Sequence, residues 1–219
     1  MTKQIIMAKE VGADGVRTKG AMADFRGMLP LIFHFAAGVY GKNGEELALP
    51  YERQFEIARG RGWSDDPDDP GGATMIDVTL ATYTAYRRMK GLPVPTKGDL
   101  RNISYGEWTE ILKTMFWDKW RADEIAHQGV ANLLVDWAWG SGTKTIRNAQ
   151  RIIGVAADGI VGVKTLSAIN TSPPEPLFGR LRDAREAYLR RCRASGKYLK
   201  GWLRRLDSIR PDGTIQIRV

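Results

Sequence analysis

The segment Asp66-Pro67-Asp68-Asp69-Pro70-Gly71-Gly72-Ala73-Thr74 places three carboxylates, two prolines, two glycines and a threonine in nine residues. Proline fixes φ and removes a backbone donor, while glycine permits positive φ and close approach of the main chain. No helix runs through such a stretch. It reads as a rigid turn that aims polar side chains at a fixed point, which is what water-handling catalysis needs. A solvated acidic turn and a loose calcium loop are competing readings of the same composition. The glutamate that should close an EF-hand loop is absent.

With 219 residues the chain can hold one domain or two small ones. It is 43% hydrophobic, enough for a packed core. A net charge of +8 and a pI near 9.7 point to an anionic polymer as partner: nucleic acid, an anionic membrane surface or the bacterial cell wall. No basic run of nucleic-acid type occurs, and the arginines between Arg180 and Arg210 read as a solvated helix face. The single cysteine, Cys192, excludes an internal disulfide and reads as a packing residue. His34 and His127 have no ligand-spaced neighbours, so neither a zinc site nor any cofactor is expected. The first twenty residues lack an apolar run and do not resemble a signal peptide. The longest apolar stretch, Met28 to Val39, contains Pro30 and His34 and is too short to span a membrane.

Periodicity predicts a mainly α chain with a minor β element. Residues 1–20 read as a loosely attached arm. A first helix is predicted from Ala23 to about Ala37, ended by Gly38, and a second from Pro50 to Arg59. A short strand over Thr74–Val78 follows the acidic turn, and Thr79 starts a helix reaching about Lys90. Gly91–Gly98 reads as a loop, and Ser104 with Glu107 as a capping box for a helix to about Trp117. Ala131–Trp139 reads as a buried helix. Shorter helices follow over Thr145–Ile153 and Lys164–Asn170, then a long one over Leu177–Leu206 and a short strand in the tail.

Several long motifs, in order, resemble the glycoside hydrolase 108 family of bacterial and phage N-acetylmuramidases. The family pattern Asp-Pro-x-Asp-x-Gly-Gly-Ala-Thr is intact at 66–74, followed by Met75-Ile76-Asp77-Val78-Thr79, where Asp77 replaces the usual glycine. Phe116-Trp117-Asp118-Lys119-Trp120 and Ala131-Asn132-Leu133-Leu134-Val135-Asp136-Trp137-Ala138-Trp139-Gly140-Ser141-Gly142 are similar to two further family stretches. Gln150–Gly154 and Asp158–Leu166 resemble its C-terminal wall-binding module. The resemblance implies a lysozyme-like α domain with a small β element over 21–122, interrupted by an insertion at about 39–62. A helical peptidoglycan-binding-like module over 123–208 and a tail over 209–219 would follow. It assigns water orientation to Asp69 and a supporting hydroxyl to Thr74. Asp66, Gly71, Gly72, Trp63, Tyr83, Trp117, Asp136, Trp137 and Trp139 are the candidates for holding substrate, with most of the tryptophans also readable as core and Asp136 as the cap of a neighbouring helix.

The departure from the family concerns the general acid. Glycoside hydrolysis needs a proton delivered to the leaving oxygen, a role for a partly desolvated helix-end glutamate. Aligning Leu29–Phe35 with the family's first helix puts Ala36 where the glutamate is expected. A second register, ending the helix at Gly60-Arg61-Gly62-Trp63, keeps the family spacing to Asp69 and also lacks a glutamate. The first register is preferred for its Leu-Pro-x-Ile pattern and the aromatic Phe35. The expectation is a muramidase of the MurNAc-GlcNAc β-1,4 bond that is inactive or nearly so unless Ala36→Glu restores it. The alanine is read either as an inactivating replacement or as the mark of a natural wall-binding pseudoenzyme. A third reading is an antibacterial effector held by an immunity protein. In each case the expected partner is the peptidoglycan glycan strand. The expected route is cytoplasmic synthesis without a signal peptide, then delivery to the periplasm or wall through a holin or a secretion system.

Overall fold

The computed structural model describes residues 22–69 and 71–217. The N-terminal arm expected over 1–20 lies outside the described residues. A 3-10 turn, Phe25–Met28, leads into α1 (Leu29–Ala37). Pro30 sits in the first turn of α1, where its missing N–H costs nothing, and Gly38 closes the helix in a left-handed conformation with φ 63°. Helix α2 (Tyr51–Arg59) delivers the chain to a three-stranded antiparallel sheet, β1 (Trp63–Ser64), β2 (Thr74–Met75) and β3 (Val78–Thr79), ordered β1-β2-β3. The acidic turn is the connection between β1 and β2.

Helices then account for the rest: α3 (Leu80–Met89), α4 (Lys97–Arg101), α5 (Tyr105–Leu112), α6 (Gln128–Ser141), α7 (Ile146–Ile153), α8 (Val163–Thr171), α9 (Pro174–Arg191) and α10 (Ser195–Ser208). The mainly α architecture with a small sheet matches the expected fold class. Three local readings change. The strand expected over Thr74–Val78 is two strands with a reversal at Ile76-Asp77. The loop expected over Gly91–Gly98 ends early, because Thr96 and Asp99 form a capping box that starts α4 at Lys97. The long C-terminal helix breaks after Arg191, and the tail strand reduces to a single bridge between Ile209 and Ile215.

Helix α6 is the axis of the fold. Every residue from Gln128 to Trp139 is buried, the pattern of a helix surrounded by protein on all sides. It packs against α9, α7, the Phe25–Met28 turn and a π-helical stretch, Lys113–Trp117. One apolar core runs from Ala23 to Ile209 through α6, so no gap in packing marks the boundary expected at 122/123. The close approach of Gly129 to the C-terminal segment shows how tightly the tail closes over α6. A Cβ there would lie 2.4 Å from the Arg210 carbonyl oxygen and 2.2 Å from that of Pro211.

A charge cluster pins this axis. Asp136, 0% exposed on α6, receives Arg185 Nη2 of α9 at 2.6 Å and Arg205 Nη2 of α10 at 2.8 Å. Burial alone would push the Asp136 pKa up, but the adjacent Arg205 and Arg185 outweigh it and hold the carboxyl below its ordinary value. A depressed folded pKa gives stability that is present above the unfolded value, about 3.9, and is lost as pH falls through the folded value. Removing the carboxylate would leave two buried guanidinium groups without their shared partner. Asp136→Ala is expected to lower the denaturant-derived unfolding free energy by about 3–5 kcal/mol at neutral pH, with a much smaller difference from the wild type in strong acid.

Candidate active-site cleft

The β2–β3 hairpin is built on unusual backbone. Met75 pairs with Val78, leaving Ile76 and Asp77 as a two-residue turn with φ values of 47° and 62°. Both positive values fit a type I′ turn, which favours Asn-Gly because side chains resist that conformation. Here a β-branched residue and an aspartate occupy it, so surrounding contacts must hold it. The Ile76 N–H donates to the Gly62 carbonyl at 2.9 Å, and Trp108 Nε1–H donates to the Ile76 carbonyl at 3.0 Å. Gly62 is required for this packing, since a Cβ there would come within 2.8 Å of Ile76 Cγ1. Asp77 Oδ2 accepts from Arg205 Nη1 at 2.6 Å and from Trp139 Nε1 at 3.3 Å, fastening the hairpin tip to α10 and α6.

The acidic turn folds on its own side chains. Asp66 Oδ1 accepts the Asp68 N–H at 2.9 Å, and Asp69 Oδ1 accepts the Gly71 N–H at 2.8 Å. Gly72 supplies the left-handed position, with φ 66°. Its aspartates are not equivalent. Asp66 Oδ2 receives Lys197 Nζ at 2.6 Å and the Tyr198 hydroxyl at 2.8 Å, and Lys197 also reaches Asp68 at 3.0 Å. The Lys197 bond, with the Asp68 N–H and the Tyr198 hydroxyl, lowers the Asp66 pKa to about 2. The preceding Asp65 pairs with Lys97 at 2.8 Å. Among the described residues no cation pairs with Asp69. Lysines thus occupy Asp65, Asp66 and Asp68, and among the described residues no group of three His, Cys, Asp or Glu side chains is placed to hold a metal.

Asp69, Gly71, Thr74 and Asp77 line one side of a cleft of about 400 Å³, which Trp139 also lines. The opposite wall is α9, α10 and the break between them, including Tyr188, Arg193, Tyr198, Trp202 and Arg205. The structure therefore brings together Asp69, Thr74, Gly71 and Trp139 from the residues expected at the site. Gly72 lines a separate groove with Leu80 and Lys97, which Gly71 also borders.

The remaining candidates sit elsewhere. Asp66 is occupied by its ties to α10. Asp136 is a buried structural carboxylate and meets no solvent. Tyr83 is buried, its hydroxyl donating to Glu107 at 2.9 Å. Trp117 is buried against Phe25, and its Nε1–H donates to Asp123 at 2.6 Å. Trp137 is buried against Tyr188. These rings are core and have no face to offer a sugar. Trp63 is half-buried, with the Arg101 guanidinium 5.5 Å from its ring centre.

Ala36 is half-buried at the end of α1, packs against the core and does not line the cleft. Its neighbour Phe35 lies against the Arg205 guanidinium, 5.9 Å from the ring centre. Next to it, His34 borders a second cavity, where burial and then Arg204 and Arg205 lower its pKa to about 4. The helix that runs directly into the acidic turn is α2. It ends at Gly60, which does not itself line the cleft, but whose backbone is helical with φ −69° and where a Cβ would meet only the Ile57 carbonyl, at 3.5 Å, leaving room for a side chain. Glu56, one turn earlier, pairs with Arg59 at 2.8 Å and does not line the cleft. Sequence reasoning passed over Asp77, Tyr198, Trp202 and Arg205 as site residues. The one available signal was the i,i+4 spacing of Tyr198 and Trp202 on a helix otherwise rich in basic residues.

Comparison with known proteins follows the same division. A family model described as Glycosyl hydrolase 108 matches residues 56–142, and one described as Predicted Peptidoglycan domain matches residues 144–207. The first match begins inside α2, so α1 with Ala36 lies ahead of it, and the two matches meet at the end of α6 rather than at 122/123. The solved "Structure of Brucella abortus SagA" is 31% identical, with a TM-score of 0.64, covering 73% of this chain and 88% of that chain. No curated protein matches the chain.

The hairpin geometry gives a specific test. Asp77→Gly loses the Arg205 partner but relieves the left-handed strain, whereas Asp77→Ala loses the partner and keeps the strain. The alanine variant is expected to be less stable than the glycine variant by about 1 kcal/mol, read from urea midpoints.

Proposed function

Because the chain belongs to the glycosyl hydrolase 108 family, we propose that it grips peptidoglycan glycan strands in the cleft at Asp69 and Thr74 as an N-acetylmuramidase scaffold without its general acid. A role on peptidoglycan, as hydrolase or binder, follows from the two matched segments. The finer reading is carried by one observation. The cleft holds an aspartate with no cationic partner among the described residues beside a threonine, yet the helix leading into that turn ends in Gly60 rather than a carboxylic acid.

Cleavage of the MurNAc-GlcNAc β-1,4 bond requires a proton at the leaving oxygen and a nucleophile at the anomeric carbon. Asp69, with one oxygen anchoring the Gly71 N–H, retains its other oxygen to orient a water, and the Thr74 hydroxyl helps hold that water. Asp77 does not replace the acid, because its Oδ2 already accepts from Arg205 and Trp139. The bound glycan would therefore turn over slowly, and the place of action would be the cell wall.

Purified sacculi incubated with the wild type, Gly60→Glu and Ala36→Glu test this. The wild type is expected to release almost no muropeptide, and Gly60→Glu to raise the rate by about 10²–10⁴-fold, with mass spectra showing new reducing ends on N-acetylmuramic acid. Ala36→Glu should match the wild type. A gain confined to Ala36→Glu would place the acid on α1. Sacculus binding with no gain in either variant would leave a binding protein without latent hydrolysis.

A further inference from the structure

The cleft wall opposite Asp69 belongs to the segment matched as a peptidoglycan domain, and that segment carries the cleft's half-exposed aromatic pair. Tyr198 and Trp202 are one turn apart on α10, with ring centres 5.9 Å apart and planes inclined by 32°. Tyr198 is fully engaged. Its hydroxyl donates to Asp66, and Lys197 Nζ lies 5.3 Å from its ring centre. Trp202 is half-buried beside it, and its indole N–H has no hydrogen bond among the described residues. Other tryptophans spend their faces or N–H groups internally: Trp108 on Phe33 and the Ile76 carbonyl, Trp117 on Phe25 and Asp123, Trp139 on Phe116 and Asp77.

We infer that Trp202 is the sugar-stacking residue of the cleft and that Tyr198 is its positioning residue. A pyranose presents a patch of C–H groups on one face and hydroxyls at its rim. An indole plane with a free N–H suits that amphipathic shape. Tyr198, tied to the acidic turn, fixes where the Trp202 plane stands relative to Asp69 and Thr74. Arg193 on the same wall adds a cation for the carboxylates that lactyl and peptide groups carry on such a strand. The segment matched as a peptidoglycan domain thus contributes substrate contacts within the cleft itself.

This inference rests on the reading of the cleft as a glycan site, and the test separates the two. The full chain is titrated with a tetrasaccharide of alternating N-acetylglucosamine and N-acetylmuramic acid, following tryptophan emission and, independently, heat. The wild type is expected to bind with a change in emission. Trp202→Leu should weaken binding by about tenfold or more, while Trp202→Phe, which keeps a ring, stays within a few-fold of the wild type by heat but loses the emission change. Tyr198→Phe, keeping the ring without the Asp66 bond, should weaken binding several-fold. Melting midpoints near that of the wild type identify variants that remain folded, and Trp202→Phe keeps the test valid if Trp202→Leu does not fold. Wild-type affinity in a folded Trp202→Leu, or an unchanged emission response in Trp202→Phe, would overturn the role of Trp202 and leave the glycan reading intact. Absence of binding by the wild type to both the tetrasaccharide and sacculi would overturn both.

Discussion

The carboxylate of Asp136, shut away from water between Arg185 and Arg205, is the interaction on which the rest of the architecture depends. An isolated charge at that depth would be prohibitively costly, and a pair would scarcely break even; satisfied geometry on both sides makes it tolerable. What the cluster contributes is placement more than net stability. Arg205 reaches three elements at once: Asp136 on α6, Asp77 at the hairpin tip and the Phe35 ring on α1. A single guanidinium thereby sets the distance between the hairpin and α10, which is the width of the cleft.

The acidic turn shows how a cluster of like charges is made selective. Lysines from two different helices take Asp65, Asp66 and Asp68, and the residual anion is Asp69. Its neighbours are donors and small residues, and its direction is fixed by the Gly71 N–H. The left-handed Ile76-Asp77 pair completes the wall at a conformational cost that a glycine would have avoided. Local strain of this kind persists where surrounding contacts over-determine it, and here the Trp108 indole, the Gly62 carbonyl and Arg205 all do so.

The parts of this arrangement readable from sequence are those governed by local chemistry. Proline and glycine spacing identified the turn, and an uninterrupted motif singled out Asp69 and Thr74, which the fold places together at the cleft. The continuous apolar run of α6 announced a buried helix. Other features depend on what lies across space. Tryptophan identity does not reveal which faces are covered, so Trp117 and Trp137 looked like platforms and are core, while Trp202 was overlooked. Asp136 sat near glycines at a helix end, and only the tertiary fold supplies its two arginines. The break between α9 and α10 carries no proline, and the nearest glycine, Gly196, lies inside α10.

The junction at Gly142, with φ 82° followed by the 3-10 turn Thr143–Thr145, has a mechanical meaning. Many wall-active proteins are pictured as a cutting unit on a leash, gaining avidity because an anchored module raises the local concentration of the other. With no flexible spacer at this junction and α10 pressed against the acidic turn, that gain has no length over which to operate. Between the two matched segments there would be no reach, and they would meet the wall as a single clasp.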